Sequence, residues 1–418
     1  MKKNNTKKAT RHHYLAIGIC TLPALFYLYE FILQVSPSII TQELSNDFSI
    51  TTASLGFMAA AYYYAYTLMQ IPAGILYDRF GPRRLLTSAI ICCALGAFLF
   101  ANTSMIAVAT LGRFLMGFGS AFSFVGTLLL VSRWFPPARF AFIAGLVEMM
   151  SCVGAIVGTA SLSKIIAHWD WRIIMTDLAL IGITLALLVA IIVRDAPADM
   201  TKLINTKKKS LHNFYEVCRN NQTWFTALYS FFVWAPITAF AALWGIPFLS
   251  AAHNISTMEA AKACTMIWIA IGIGCPLLGW WSDKVGQRCL PLRIVAILGL
   301  LALSILIYSP YLSPFMLYSL LFIFGLAASG QSLAFGVVKD NNQIHAVGTA
   351  IGINNMATVA GGALFQPLIG LLLHWASPYG SLHNPAAYRI AFLPLPICYL
   401  SAWIMSRFFI RETHCLQQ

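Results

Sequence analysis

The sequence predicts an all-α integral membrane protein of twelve transmembrane helices, in two six-helix bundles related by pseudo-two-fold symmetry. Three observations carry this prediction. Hydrophobic residues make up 59% of the 418 and charged residues 10%, with a mean hydropathy of +0.74; a soluble domain carries about 25% charged residues. Apolar runs of about 20 residues, each able to cross a hydrocarbon core of roughly 30 Å, recur along the whole chain. One polar loop also occurs twice, as Gly74-Ile75-Leu76-Tyr77-Asp78-Arg79-Phe80-Gly81-Pro82-Arg83-Arg84 and as Gly279-Trp280-Trp281-Ser282-Asp283-Lys284-Val285-Gly286-Gln287-Arg288. The offset, Gly74 to Gly279, is close to half the chain, so the sequence reads as two homologous halves. Many secondary transporters are doubled in this way.

The runs lie at 14–39, 51–76, 84–101, 105–130, 138–166 and 171–193 in the first half. In the second they lie at 223–250, 257–281, 290–309, 312–337, 345–373 and 387–410. None alternates with period two, and lipid demands internal backbone pairing, so each is read as a helix. Pro23, Pro37, Pro72, Pro236, Pro247, Pro276, Pro367, Pro394 and Pro396 fall inside or near the ends of these runs. Kinks there are tolerated where neighbours satisfy the freed carbonyls. The expected domains are 1–193, a six-helix bundle with a basic start; 194–222, a polar linker; and 223–418, the second bundle. The linker carries Lys207-Lys208-Lys209 and is expected to include a short surface helix. The Lys run is most simply an orientation signal in contact with anionic lipid.

The net charge of +13 is explained by topology and calls for no nucleic-acid partner. With the start inside, all of the 27 basic residues except Arg113, Lys164, Arg172, Lys262 and Arg389 fall in segments on the cytoplasmic side. This positive-inside pattern places both termini in the cytoplasm, and the chain in a bacterial inner membrane. The first apolar run is too long for a signal-peptide core and lacks a small-residue cleavage site. The ten cysteines have no metal-type spacing and read as small apolar fillers. No G-x-x-x-x-G-K-[ST], H-E-x-x-H or G-x-S-x-G occurs, so ATP hydrolysis, zinc proteolysis and serine-hydrolase chemistry find no support. No enzyme activity, cofactor or metal is expected, and the driving force must come from gradients.

The doubled loop resembles motif A of the major facilitator superfamily, with Pro82 and Gln287 where basic residues are usual and Trp281 for an aliphatic one. Leu111-Gly112-Arg113-Phe114-Leu115-Met116-Gly117-Phe118-Gly119 resembles its motif B, with Met116 where Gln is common. The antiporter motif of the fifth helix is half present: Gly154 and Gly158 stand without an accompanying Pro, which disfavours drug-efflux antiport. Segments such as Ser36-Pro37-Ser38 and Gly361-Gly362-Ala363-Leu364-Phe365-Gln366-Pro367 look like those of bacterial metabolite carriers. The resemblance implies a latch between the halves built on Gly74, Asp78, Arg79, Gly81, Arg83 and Arg139, repeated at Gly279, Asp283, Gly286 and Arg288. Independently of the name, the glycines permit turns and close approach, and Asp78 can face the positive N-terminus of helix eleven.

Glu30, Glu148 and Asp177 are the acidic residues well inside apolar runs, and Arg113 is the basic one. Such residues are costly in lipid and are expected to face an interior cavity. Glu30 and Arg113 fall at similar depth on helices one and four, so a direct pair is expected; Glu148 lies nearer the cytoplasm, and Asp177 reaches the interface. Glu30 is either a protonatable coupling site or a fixed counter-ion for Arg113. Glu148 is a second proton site or a buried hydrogen-bonded acid. No His occupies a mid-helix position, which argues against a His relay. Tyr27, Glu30 and Gln34 share one helix face. With Tyr62, Tyr66, Trp234, Trp268, Gln331, Asn354 and Asn355 they form the candidate cavity, suited to a small polar or zwitterionic solute. The same side chains would otherwise serve as interhelical glue.

The reading is a secondary transporter working by alternating access, carrying a small polar organic metabolite (amino-acid-, peptide- or carboxylate-like) by proton symport. Partners are the solute, protons and membrane lipid, and a monomer is expected. The alternatives are a proton-coupled exporter of a metabolite, drug or siderophore and, from another class, a non-transporting receptor or scaffold.

Overall fold

The computed structural model describes residues 2–135, 137–196, 210–343, 346–377 and 381–415, which hold helices and no strand. Eleven helices are long and apolar enough to span a membrane. In the first half these are α1 (Ala16–Ile39), α3 (Pro82–Ala101), α4 (Ile106–Trp134), α5 (Gly145–Ile166) and α6 (Trp171–Ile192). In the second they are α7 (Asn221–His253), α8 (Thr257–Val285), α9 (Cys289–Tyr308), α10 (Pro314–Asp340), α11 (Val347–Ala376) and α12 (Pro385–Phe409). The twelfth span, α2 (Thr52–Phe80), is as long as the others. Tyr62, Tyr63, Tyr64, Tyr66 and Gln70 make it less apolar, and Tyr62, Tyr63 and Tyr66 turn inward and are buried.

Helix starts follow local chemistry. The side chain of Thr51 caps α2, Asp170 caps α6, Asn220 caps α7, Ser313 caps α10 and Asn384 caps α12. Ser256 and Glu259 close a reciprocal capping box at α8. Gly81 (φ +77°) and Gly286 (φ +66°) take the left-handed turns after α2 and α8, a conformation that costs other residues strain. The linker helix, Ser210–Arg219, forms as expected, and its Val217 is buried with Ala227, Val338, Ala346, Ala350 and Ile353 of the second half. Lys207-Lys208-Lys209 lie outside the described residues.

The bundles meet along α2 and α11. Close approach is visible at Gly56, where an added Cβ would lie 2.6 Å from the Gln366 carbonyl. Thr52 Oγ1 donates to the Gly370 carbonyl at 3.1 Å, and Asn355 Nδ2 donates to Gln70 Oε1 at 2.9 Å. At the end remote from the chain termini, Ser36–Ile39 is buried and packs against residues 237–253 of α7. That end of the interface is sealed. Past Pro236, α7 widens into a π-helix over Ile237–Trp244, as proline's missing N–H favours. Gln366 satisfies this break: its Nε2 donates to the Thr238 carbonyl at 2.8 Å, and its own carbonyl accepts Trp244 Nε1 at 3.0 Å.

Candidate transport site

Between the halves lies a cavity lined by Tyr27, Glu30, Phe31 and Gln34 of α1, Tyr66 of α2, Phe124 of α4 and Glu148 of α5. From the second half come Trp234 of α7, Gln331 and Phe335 of α10, and Asn355, Thr358 and Val359 of α11. Its volume is about 40 Å³, room for a few waters but far below the several hundred Å³ of a typical solute site. This conformation therefore holds the site contracted. Of the expected cavity residues, Tyr27, Gln34, Tyr66, Trp234, Gln331 and Asn355 line it together with Glu30 and Glu148.

Three do not. Tyr62 stands behind Glu30 and donates its hydroxyl to Glu30 Oε2. Trp268 is buried beneath Phe31, edge to face with ring centroids 6.2 Å apart. Asn354 faces α7 and accepts from Ser230 Oγ at 2.9 Å. Adjacent amides on a helix point about 100° apart, so only one of Asn354 and Asn355 can face the cavity. Phe31, Phe124, Phe335, Thr358 and Val359 were absent from the sequence reading, since apolar cavity walls look like packing.

The expected ion pair between Glu30 and Arg113 is not formed, and no other described acid pairs with either. Ser123 Oγ donates to Glu30 Oε1 at 3.1 Å, so hydroxyls hold both carboxylate oxygens. Arg113 donates from Nη1 to the Leu33 carbonyl at 2.7 Å and from Nη2 to the Gln34 carbonyl at 3.4 Å. Its Cζ lies 5.0 Å from the centre of the Tyr62 ring. The helices are neighbours at the expected depth, but helical side chains lean toward their own N-termini. On antiparallel α1 and α4 that lean carries the two charged groups apart. A second cause is Pro37: it lacks the N–H that the Leu33 carbonyl would accept. Arg113 and the Ser36 hydroxyl (3.1 Å) supply that donor, near a helix C-terminus that favours a cation.

Glu148 is only partly buried and is held loosely, by Tyr27 OH at 3.4 Å. Gly154 brings α5 against α1: an added Cβ would meet the Leu28 carbonyl and lie 3.0 Å from Phe31 Cβ. Gly154→Val is expected to force the two helices apart and destabilise the fold by about 1–3 kcal/mol. A lowered melting midpoint in detergent, with Gly18→Val (open space around the Cβ) unchanged, would show it. Asp177 sits at the rim of a shallow groove with Asn102, Arg172 and Thr176.

The described contacts of both motif A loops stay within their own half. Arg79 lies over the Phe80 ring, with Cζ 5.2 Å from its centre. Arg83 Nε donates to the Ala190 carbonyl of α6 at 2.8 Å. Arg288 bridges Asp283 (2.8 Å) and Asp340 of α10 (3.0 Å). The side chains of Asp78 and Arg139 lie outside the described residues. Among the described residues, a Cβ at Gly74 or Gly279 would meet nothing within 4 Å, so neither shows a close backbone approach there in this conformation.

A second repeat, missed in the sequence, locks these loops. Val193-Arg194-Asp195 follows α6 and Ile410-Arg411-Glu412 follows α12, the same apolar-Arg-acid order. Asp195 Oδ1 accepts the Arg83 N–H at 2.7 Å at the start of α3. Glu412 accepts the Arg288 and Cys289 N–H groups at 2.7 and 2.8 Å at the start of α9. Each acid neutralises a positive helix N-terminus. Burial alone would push the Glu412 carboxyl up, but the backbone N–H groups of Arg288, Cys289 and His414 outweigh it and hold the group below the usual carboxylate range. The stabilisation it gives is therefore complete above the ordinary glutamate range and is lost as pH falls through the lowered folded value. Glu412→Gln is expected to cost about 0.5–2 kcal/mol at neutral pH, and the difference from wild type should vanish in strong acid; a melting series against pH measures both.

The comparisons agree with this architecture. The Major Facilitator Superfamily model matches residues 19–366, and the chain belongs to that superfamily of membrane transporters rather than to an enzyme family. The probable galactarate/D-glucarate transporter GarP of Escherichia coli (strain K12) is 23% identical over 80% of this chain and 83% of its own. The probable sulfoacetate transporter SauU of Cupriavidus necator is 22% identical over 68% of each. Among solved structures, a bacterial homologue of the human lysosomal transporter Spinster, in an inward-facing and unoccupied conformation, superposes with TM-score 0.71 at 17% identity, covering 96% of this chain and 98% of that one. The nucleoside transporter NupG gives 0.74 at 12% identity over 94% and 100%. At these identities the structures share the fold.

Proposed function

We propose that this chain is a proton-coupled symporter that imports a small polar organic metabolite across a bacterial inner membrane, with both termini cytoplasmic. The observation that carries the reading is a cavity between the two bundles with two carboxylates in its wall and no basic side chain among its described lining residues. Charges buried in a membrane protein face a cavity or pathway and mark its function. Two acids without a cation must be neutralised there by a proton or by solute. Glu30, fully buried and held by two hydroxyls, is the proton site. The titratable groups around it among the described residues are Tyr62, Tyr66, Tyr27, Tyr63, Cys93 and Glu148, with Arg113 beyond the Tyr62 ring.

Bundles 1–193 and 223–418 rock about the cavity, and the 194–222 linker tethers them. Motif A latches them when the sealed remote end opens. The sugar-acid and sulfoacetate names of the relatives support an organic solute, and their carboxylates fall within the class proposed here. Purified protein in liposomes, assayed by solute counterflow against a panel of amino acids, short peptides and carboxylates, tests the reading. Counterflow of at least one panel member supports it, and silence across the panel with an ion-tight membrane would leave the receptor or scaffold reading standing.

A further inference from the structure

We propose that the cavity is an ammonium site, in which Glu148, flanked by Tyr27, Phe31 and Phe124, receives the positively charged nitrogen of the transported solute. This rests on the reading of the cavity as the transport site and narrows its substrate class. Both carboxylates in the wall are acceptors, and they differ in what they can do. The oxygens of Glu30 are occupied by Tyr62 and Ser123 hydroxyls, at zero exposure. Glu148 is partly exposed to the cavity and has one described side-chain partner, the Tyr27 hydroxyl at the long distance of 3.4 Å. It is the carboxylate free to take a second donor.

The surroundings fit a cation rather than an anion. The Tyr27 ring lies 5.2 Å from both Phe31 and Phe124, and Trp234, Tyr66 and Phe335 complete an aromatic wall. Aromatic faces attract ammonium groups, most strongly where water is excluded. Among the described residues the buried cation nearby is Arg113, and it is turned away: it holds the Leu33 and Gln34 carbonyls and the back of Tyr62, and it is not among the lining residues. A dianion such as galactarate would meet two carboxylates and no opposing charge. Across the cavity, Gln331 is 7% exposed, lines the wall and takes part in none of the described hydrogen bonds. Its amide therefore opens onto the cavity, where it is available as donor and acceptor. It is placed to hold a polar group at the other end of a solute whose nitrogen sits on Glu148. The solute class is therefore an organic ammonium compound with a polar second end, an amino acid or an amine.

The test is a thermal-shift titration of the full-length protein in detergent with five probes: L-lysine, putrescine and choline against galactarate and sulfoacetate. A ligand that binds the native state raises the melting midpoint with concentration. At least one ammonium probe is expected to do so saturably, and the two anions are not. Glu148→Gln should weaken the ammonium probe at least about tenfold, as loss of a buried charge partner does. Glu148→Asp should restore part of the affinity, which a merely structural role would not predict. A shift from the anions alone, a cation shift that Glu148→Gln leaves intact, or no shift from any probe would overturn the ammonium site. Anion binding accompanied by counterflow would do so while leaving the transporter reading in place. Absence of counterflow by every solute would sink that reading itself.

Discussion

Glu30→Gln is expected to abolish solute accumulation driven by a pH gradient while leaving downhill exchange of solute intact. The amide keeps the shape of the acid: its oxygen can accept from Tyr62, and its NH2 can donate to Ser123 Oγ, whose own hydrogen goes to the Ser120 carbonyl at 2.8 Å, so the packing of α1, α2 and α4 survives. It cannot gain or lose a proton. A one-unit pH gradient is worth about 1.4 kcal/mol per proton, or about a tenfold concentration ratio for one-to-one coupling. Wild-type vesicles with an acid exterior should reach that ratio, and Glu30→Gln vesicles should stop at equality. Glu30→Asp should retain coupling at a reduced rate, because the shorter acid no longer reaches both hydroxyls. Full accumulation by Glu30→Gln would remove Glu30 from the coupling mechanism.

The second large effect falls on Arg113. Arg113→Lys is expected to destabilise the fold by about 2–4 kcal/mol, even though the charge is kept. A guanidinium reaches two carbonyls and stacks on a ring at once; an ammonium is a point donor with a strong hydration shell. The Leu33 carbonyl, deprived of its helix donor by Pro37, would be left under-satisfied in a dry environment, which is costly. Arg113→Met should cost about as much or more, and Pro37→Ala should soften either loss by returning a backbone N–H to Leu33. If Arg113→Lys melts like wild type, the carbonyl-holding role fails. Solute affinity per folded molecule should change less than stability, because Arg113 does not touch the cavity.

The helices were legible because lipid leaves a chain few options: among the described residues each of the twelve apolar runs holds a helix, eleven of them long and apolar enough to span a membrane. Eight of the cavity's polar and aromatic lining residues were legible for the same reason, since Tyr27, Glu30, Gln34, Tyr66, Glu148, Trp234, Gln331 and Asn355 carry polar groups that are expensive in lipid and so face inward. What could not be read was direction. Depth along α1 and α4 placed Glu30 beside Arg113, but pairing depends on the lean of side chains on antiparallel helices. Pro37 was visible, yet its consequence at Leu33 needs the neighbour that answers it. Asp195 and Glu412 escaped because they lie outside the apolar runs; aligning the ends of the two halves, Val193-Arg194-Asp195 with Ile410-Arg411-Glu412, would have found them. Phe31, Phe124 and Phe335 carry no sequence mark that separates a cavity wall from packing.

Simultaneous recording of solute and proton flux is the most direct test of the mechanism. Liposomes holding the protein and an internal pH indicator, given a transported solute with no imposed gradient, should acidify inside as solute enters. The acidification should scale with solute uptake and be lost in Glu30→Gln. Solute entry with no internal pH change, in wild type and variant alike, would contradict proton coupling and make the protein a uniporter.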